Sequence, residues 1–174
     1  MKWIAAILLC CSMAQGHSQP NPAVVLPNAF ELVLAEIKAK PHVAVILPSA
    51  LPQPISGAKY ATLQSASNTE YAISLYYELG IGDAGFAAFF AANGRPDYWP
   101  KDIPKVRKVK LSQDLVGYFS KVGCGGSCAP ANLEWEEDHV LYQIQLRLSP
   151  HLSEKDQQGK MISVANSAIL AGPR

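Results

Sequence analysis

From Val140 to Leu148 the chain alternates, with Tyr142, Ile144, Leu146 and Leu148 on one side of a period of two and Leu141, Gln143, Gln145 and Arg147 on the other. Successive side chains of a strand point to opposite faces, so this run predicts a strand with one buried and one largely polar face. More strands are expected upstream: Tyr118 and Phe119, then Leu133 to Trp135, joined to the alternating run by a turn over Glu136 to His139. Tyr60 to Leu63 and Tyr71 to Tyr77 flank Ser65 to Glu70, whose Ser, Asn and Thr residues suit a turn, and the pair reads as a hairpin. Val43 to Leu47 is a short β-branched run consistent with a strand, closed by the prolines of Pro48 to Pro54. Phe86, Phe89 and Phe90 fit a helical turn or a buried strand equally well, after a glycine-rich stretch at Gly80, Gly82 and Gly85.

Helices are expected at both ends. Asn28 offers a cap with Glu31 three residues on, and Phe30, Val33, Leu34 and Ile37 recur at helical spacing until Pro41. Ser153 caps a final helix with Asp156 in the capping-box position; its buried stripe is Met161, Val164, Ala165, Ala168 and Ile169, and Gly172 and Pro173 end it. Strands in runs with a helix at each end predict an α+β fold: an antiparallel sheet of short strands with an N-terminal and a C-terminal helix packed on it. No repeat of 20–50 residues stands out.

Composition agrees with one globular domain. Of the 174 residues, 49% are apolar and 17% charged, which excludes a disordered chain and leaves enough apolar material for one core. The formal net charge of +1 gives no basic footprint for nucleic acid and no acidic one for a cationic partner.

Residues 1–16 read as a secretory signal: Lys2, an apolar run from Trp3 through Cys11, then small residues. Ser12 and Ala14 fit cleavage before Gln15, while Ala14 and Gly16 fit cleavage before His17. The run is well short of the ~20 apolar residues of a membrane span, and Leu9 before Cys10 is not the small residue that lipoprotein processing wants. Secretion or residence in a periplasm follows, with residues 17–27 as an extended lead-in and 28–174 as the domain. Removing Lys2 leaves fourteen basic against fourteen acidic residues, and two cysteines, Cys124 and Cys128. In an exported protein these most simply pair with each other, and Gly125 and Gly126 make so tight a ring feasible.

Reactive readings of Gly123-Cys124-Gly125-Gly126-Ser127-Cys128-Ala129 each meet a defect. A papain-like thiol lacks the aromatic residue after the cysteine, where Ala129 stands, and a serine elbow lacks its second glycine at the same position. Zinc wants a second tight ligand pair, and His139 and His151 are twelve apart. Thioredoxin-like chemistry uses two intervening residues, not three. Glu134, Glu136, Glu137 and Asp138 could supply glycosidase carboxylates, but adjacent strand residues face opposite ways, so a solvated turn is the expectation. No P-loop, dinucleotide fingerprint or His-Glu-x-x-His is present, and no cofactor or metal is expected.

Binding is the better use for what remains. Trp99, in Asp97-Tyr98-Trp99-Pro100, sits in a loop context suited to an exposed contact, whereas Trp135 and Tyr142 are expected in the core. Lys101 to Lys110, with Lys105, Arg107 and Lys108, reads as a solvated edge strand or as a face for anions or lipid head groups. Tyr98, Trp99, Lys105, Arg107 and Lys108 form the candidate binding surface. The expectation is a non-catalytic binding or interaction module of the envelope or extracellular space, its partner an envelope protein or small ligand. The alternative is an envelope hydrolase with a site assembled from distant segments.

The motifs Gly117-Tyr118-Phe119, Cys124-Gly125-Gly126-Ser127-Cys128-Ala129-Pro130, Leu133-Glu134-Trp135 and Tyr142-Gln143-Ile144-Gln145, with the earlier Leu47-Pro48-Ser49-x-Leu51-Pro52, resemble a family of secreted bacterial proteins of unknown activity, often cyanobacterial. Trp135, Tyr142 and Ala165-Asn166-Ser167 are more loosely similar to a domain of unknown function in bacterial envelope and anti-sigma proteins. The resemblance implies export, an α+β domain and a cysteine-pinned loop. A further cysteine pair of related members would be absent, since Leu79 to Phe86 holds no cysteine.

Overall fold

The computed structural model describes residues 27–40, 43–102, 106–125 and 127–174. The expected signal, most of the lead-in, His42 and Lys105 lie outside the described residues.

The alternating run forms a strand, β9 (Val140–Leu146), and it is paired with β8 (Ala131–Glu137) through a two-residue turn. Asp138 and His139 both take positive φ, +50° and +62°, the backbone that matches a tight hairpin to the twist of its strands. Upstream lie β1 (Tyr60–Ala66), β2 (Glu70–Tyr76), β3 (Phe86–Asn93), β4 (Arg107–Lys110) and β5 (Val116–Ser120). Together they make one antiparallel sheet in the order β1-β2-β3-β9-β8-β5-β4. The hairpin expected from Tyr60 to Tyr77 is present, its first strand running on to Ala66 and its second starting one residue earlier at Glu70, and the phenylalanine set is a strand. Before it, Gly82–Gly85 forms a 3-10 turn in which a side chain on Gly85 would collide with the Glu78 carbonyl, so glycine is required there.

The register sorts side chains into two faces. One row runs Leu63, Ile73, Phe90, Ile144, Leu133, Phe119 and Arg107 across the whole sheet; the five in the middle are buried. Both helices lie on this side. In α1 (Asn28–Lys38) Phe30 packs edge-on against Phe90 at 5.1 Å between centroids, with Val33 and Ile37 buried beside it. In α2 (Glu154–Ala171) the buried stripe is Met161, Val164, Ala165, Ala168 and Ile169, as the spacing predicted. The Ser153 hydroxyl accepts from the Asp156 N–H at 3.1 Å and starts the helix. The architecture is α+β, mostly antiparallel sheet with a long C-terminal and a short N-terminal helix.

Two local expectations are corrected. Asn28 is the first residue of α1, not its cap; the helix starts on the carbonyl of Pro27, which accepts from the Phe30 N–H at 2.9 Å. Val43 to Leu47 is not a strand of the sheet. Its backbone is taken by other partners: the phenols of Tyr71 and Tyr142 bond Ile46 and Ala44, and the chain end reaches it through an Ile46–Pro173 bridge. The segment thus crosses the covered face as a tie, with Val45, Ile46 and Leu47 buried.

Candidate functional site

The opposite face carries different residues because the period of two places them there. Its central row is Ala72, Ala91, Gln143, Glu134, Tyr118 and Lys108, flanked by Ser74, Phe89, Gln145, Asn132 and Ser120. From Asn93 to Lys101 the chain leaving β3 runs along this face as a strap. Tyr98, 45% exposed, ties the strap down: its hydroxyl donates to Glu134 Oε1 at 2.6 Å. The Gln143 side-chain amide donates to the same oxygen at 2.9 Å and to Asn132 Oδ1 at 3.0 Å.

Glu134 is therefore only 3% exposed, which corrects the expectation of a solvated acidic turn. A buried carboxylate is costly unless it is hydrogen-bonded, and here one oxygen accepts from two side chains. Burial first, then the Glu134 carboxylate beside it, holds the Tyr98 phenol well above its ordinary range, so it stays a proton donor. Glu136 and Glu137 are half-buried and Asp138 is exposed at the hairpin turn.

The strap borders two hollows, Trp99 to Lys101 lining one and Pro96 to Tyr98 the other. On one flank lies a groove of about 470 Å³ lined by Trp99, Pro100, Lys101, Leu115, Val116, Tyr118 and the hairpin end Glu136 to His139. The Lys101 ammonium sits 5.9 Å from the centre of the Trp99 ring. His139 is exposed, 3.7 Å from Glu136. On the other flank a smaller hollow of about 200 Å³ is lined by residues including Glu70, Asp97 and Gln143.

The predicted surface residues separate in space. Tyr98 and Trp99 stand together on the strap; Lys108 is exposed on the same face, in register with Tyr118. Arg107 belongs to the helix-covered side, where its guanidinium meets Glu154 at 3.0 Å and Gln158 at 3.3 Å. Lys105 lies outside the described residues. Trp135 and Tyr142 are in the core, their rings stacked at 5.3 Å. Asn132, Glu134 and Gln143 form a group that no sequence motif marks, although their period-two spacing on two strands joined by a tight turn is a signal for it.

Cys124 and Cys128 are joined by a disulfide, and they face each other across a two-rung ladder of β6 (Gly123–Cys124) and β7 (Cys128–Ala129). The loop is exposed and is rooted on α2, where Gln157 accepts from the Val122 N–H at 2.9 Å. It stands at the opposite end of β8 from the groove. Ser127 and His139 are thus separated by the length of a seven-residue strand, roughly 20 Å, far beyond hydrogen-bond reach.

Among the described residues no helix is long and apolar enough to cross a membrane, and no three His, Cys, Asp or Glu side chains gather where they could hold a metal ion. Comparison with protein-family models, with curated proteins and with solved structures finds no match to this chain.

Proposed function

We propose that this chain is an exported, non-catalytic binding module of the cell envelope or extracellular space, related to the secreted bacterial proteins it resembles, and that the sheet's open face is its working surface. One observation carries the reading: the Tyr98–Glu134–Gln143–Asn132 network, with the buried Glu134 carboxylate at its centre, holds the Trp99 strap in place beside a groove on the face that neither helix covers. A contact surface fixed before the partner arrives loses less side-chain and loop freedom on binding. Trp99 and Tyr98 contribute large, stiff area with polar ends, the residue types that dominate binding energy. Lys108 extends the surface across the same face. The Cys124–Cys128 bond supports an oxidising compartment, since disulfides persist outside the reducing cytosol. Its place at the far end of β8 from His139 favours a structural loop over a hydrolytic one.

The test is a panel of esterase, peptidase and glycosidase substrates, run on the parent and on Ser127→Ala and His139→Ala. No turnover that depends on either residue is expected; Ser127→Ala should keep the parent's melting temperature, while His139→Ala, at a positive-φ turn position, should lower it by a few degrees with the fold intact. A specific activity abolished by either substitution with the fold intact overturns the reading in favour of a hydrolase.

A further inference from the structure

The groove beside Trp99 has a charge that selects its occupant. Its lining holds three acidic residues, Glu136, Glu137 and Asp138, against one lysine, Lys101, among the described residues. Its walls include two aromatic rings, Trp99 and Tyr118. One ring is already in use. The ammonium of Lys101, on a side chain only two residues away, stands 5.9 Å over the Trp99 ring, so this indole face receives a cation within the molecule itself. An aromatic face attracts ammonium through its quadrupole, and carboxylates around a partly enclosed hollow strengthen that preference. Lys101 is exposed and comes from the strap, so nothing buried has to be broken to move it off the ring.

Building on the binding-module reading, we propose that the groove takes the ammonium group of a lysine side chain from a basic polypeptide segment, which displaces Lys101 from Trp99 and is flanked by Glu136 and its acidic neighbours. Lys101 then acts as a tethered competitor that holds the ring until a partner supplies the same chemistry. Its removal should therefore improve binding, the reverse of what loss of a basic contact residue does at an anion site.

Acetyl-Lys-Lys-Lys-amide titrated into the ¹⁵N-labelled full chain tests this, with the Trp99 indole N–H as the reporter. Tri-glutamate and neutral chitotriose serve as the comparison probes. Tri-lysine is expected to move the Trp99 signal saturably, with binding that weakens as salt rises. Trp99→Ala, followed on the Val116 and Tyr118 amides, should weaken binding by about threefold, Glu136→Gln by about two- to threefold, and Lys101→Ala should tighten it by about twofold or more. Weaker binding of Lys101→Ala overturns the competitor role and the proposal with it. A Trp99 response to chitotriose or tri-glutamate but not to tri-lysine overturns the cationic ligand and leaves the binding-module reading standing. No response at the groove to any of the three probes counts against both.

Discussion

Trp135→Ala is expected to remove about 3–5 kcal/mol of folding stability, the largest loss of any single substitution considered for this chain. Trp135 is 1% exposed, sits on β8 near the middle of the sheet and stacks on Tyr142 of β9 at 5.3 Å. Its register partner on β5 is Gly117, where an added side chain would press on Val109, Leu111 and Leu133, so the core around this pair is closely filled. Alanine would leave a cavity that strands held by both neighbours cannot close. Natural domains have only ~5–15 kcal/mol in hand, so the variant should lie near the edge of folding. Urea unfolding monitored by far-UV circular dichroism checks it. A loss below about 1 kcal/mol would mean that this part of the core can collapse around the gap.

Tyr71→Phe should cost about 3 kcal/mol, a large effect for one oxygen. The Tyr71 hydroxyl donates to the Ile46 carbonyl at 2.9 Å and accepts from the Ile46 N–H at 3.1 Å, so its loss strands two buried backbone groups of the tie segment. The same phenol gives a pH signature. Burial raises its pKa far above the ordinary range of a tyrosine, and burial raises that of Tyr142 as well. Above pH ~10 the unfolded chain releases phenolic protons that the folded chain keeps, so the parent's stability is complete below that pH and falls as pH rises beyond it. Tyr71→Phe should start lower and lose less between pH 9 and 11 in the same urea experiment. An unchanged alkaline slope would show that Tyr71 is not held neutral by the fold.

How far the sequence reveals this structure depends on how far apart the interacting residues lie. The β9 alternation, the α2 stripe and the Ser153 cap are local patterns, each decided within a few residues, and all three appear as expected. Asn28 fails on a local detail, because the carbonyl of Pro27 opens the helix without a side-chain cap. Val43 to Leu47 has the residues of a strand but partners from β2, β9 and the chain end, at separations a local reading does not see. Glu134 is the most instructive case. Its sequence neighbours are acidic and turn-like, and what buries it is Tyr98, 36 residues away on a strap that has no period of its own. Trp99 was legible as a loop aromatic, whereas the acidic groove beside it exists only because the hairpin end and the strap meet.

Export and the cysteine-pinned loop can be tested together on protein recovered from its exporting host, by intact mass before and after alkylation without reductant. The expected result is a chain cut before Gln15 or His17, two hydrogens lighter than the reduced sequence and unchanged by the alkylating agent. A chain that keeps residues 1–16, or that takes up label at Cys124 or Cys128, would contradict an exported module with a structural disulfide and return the reactive readings of that loop to the front.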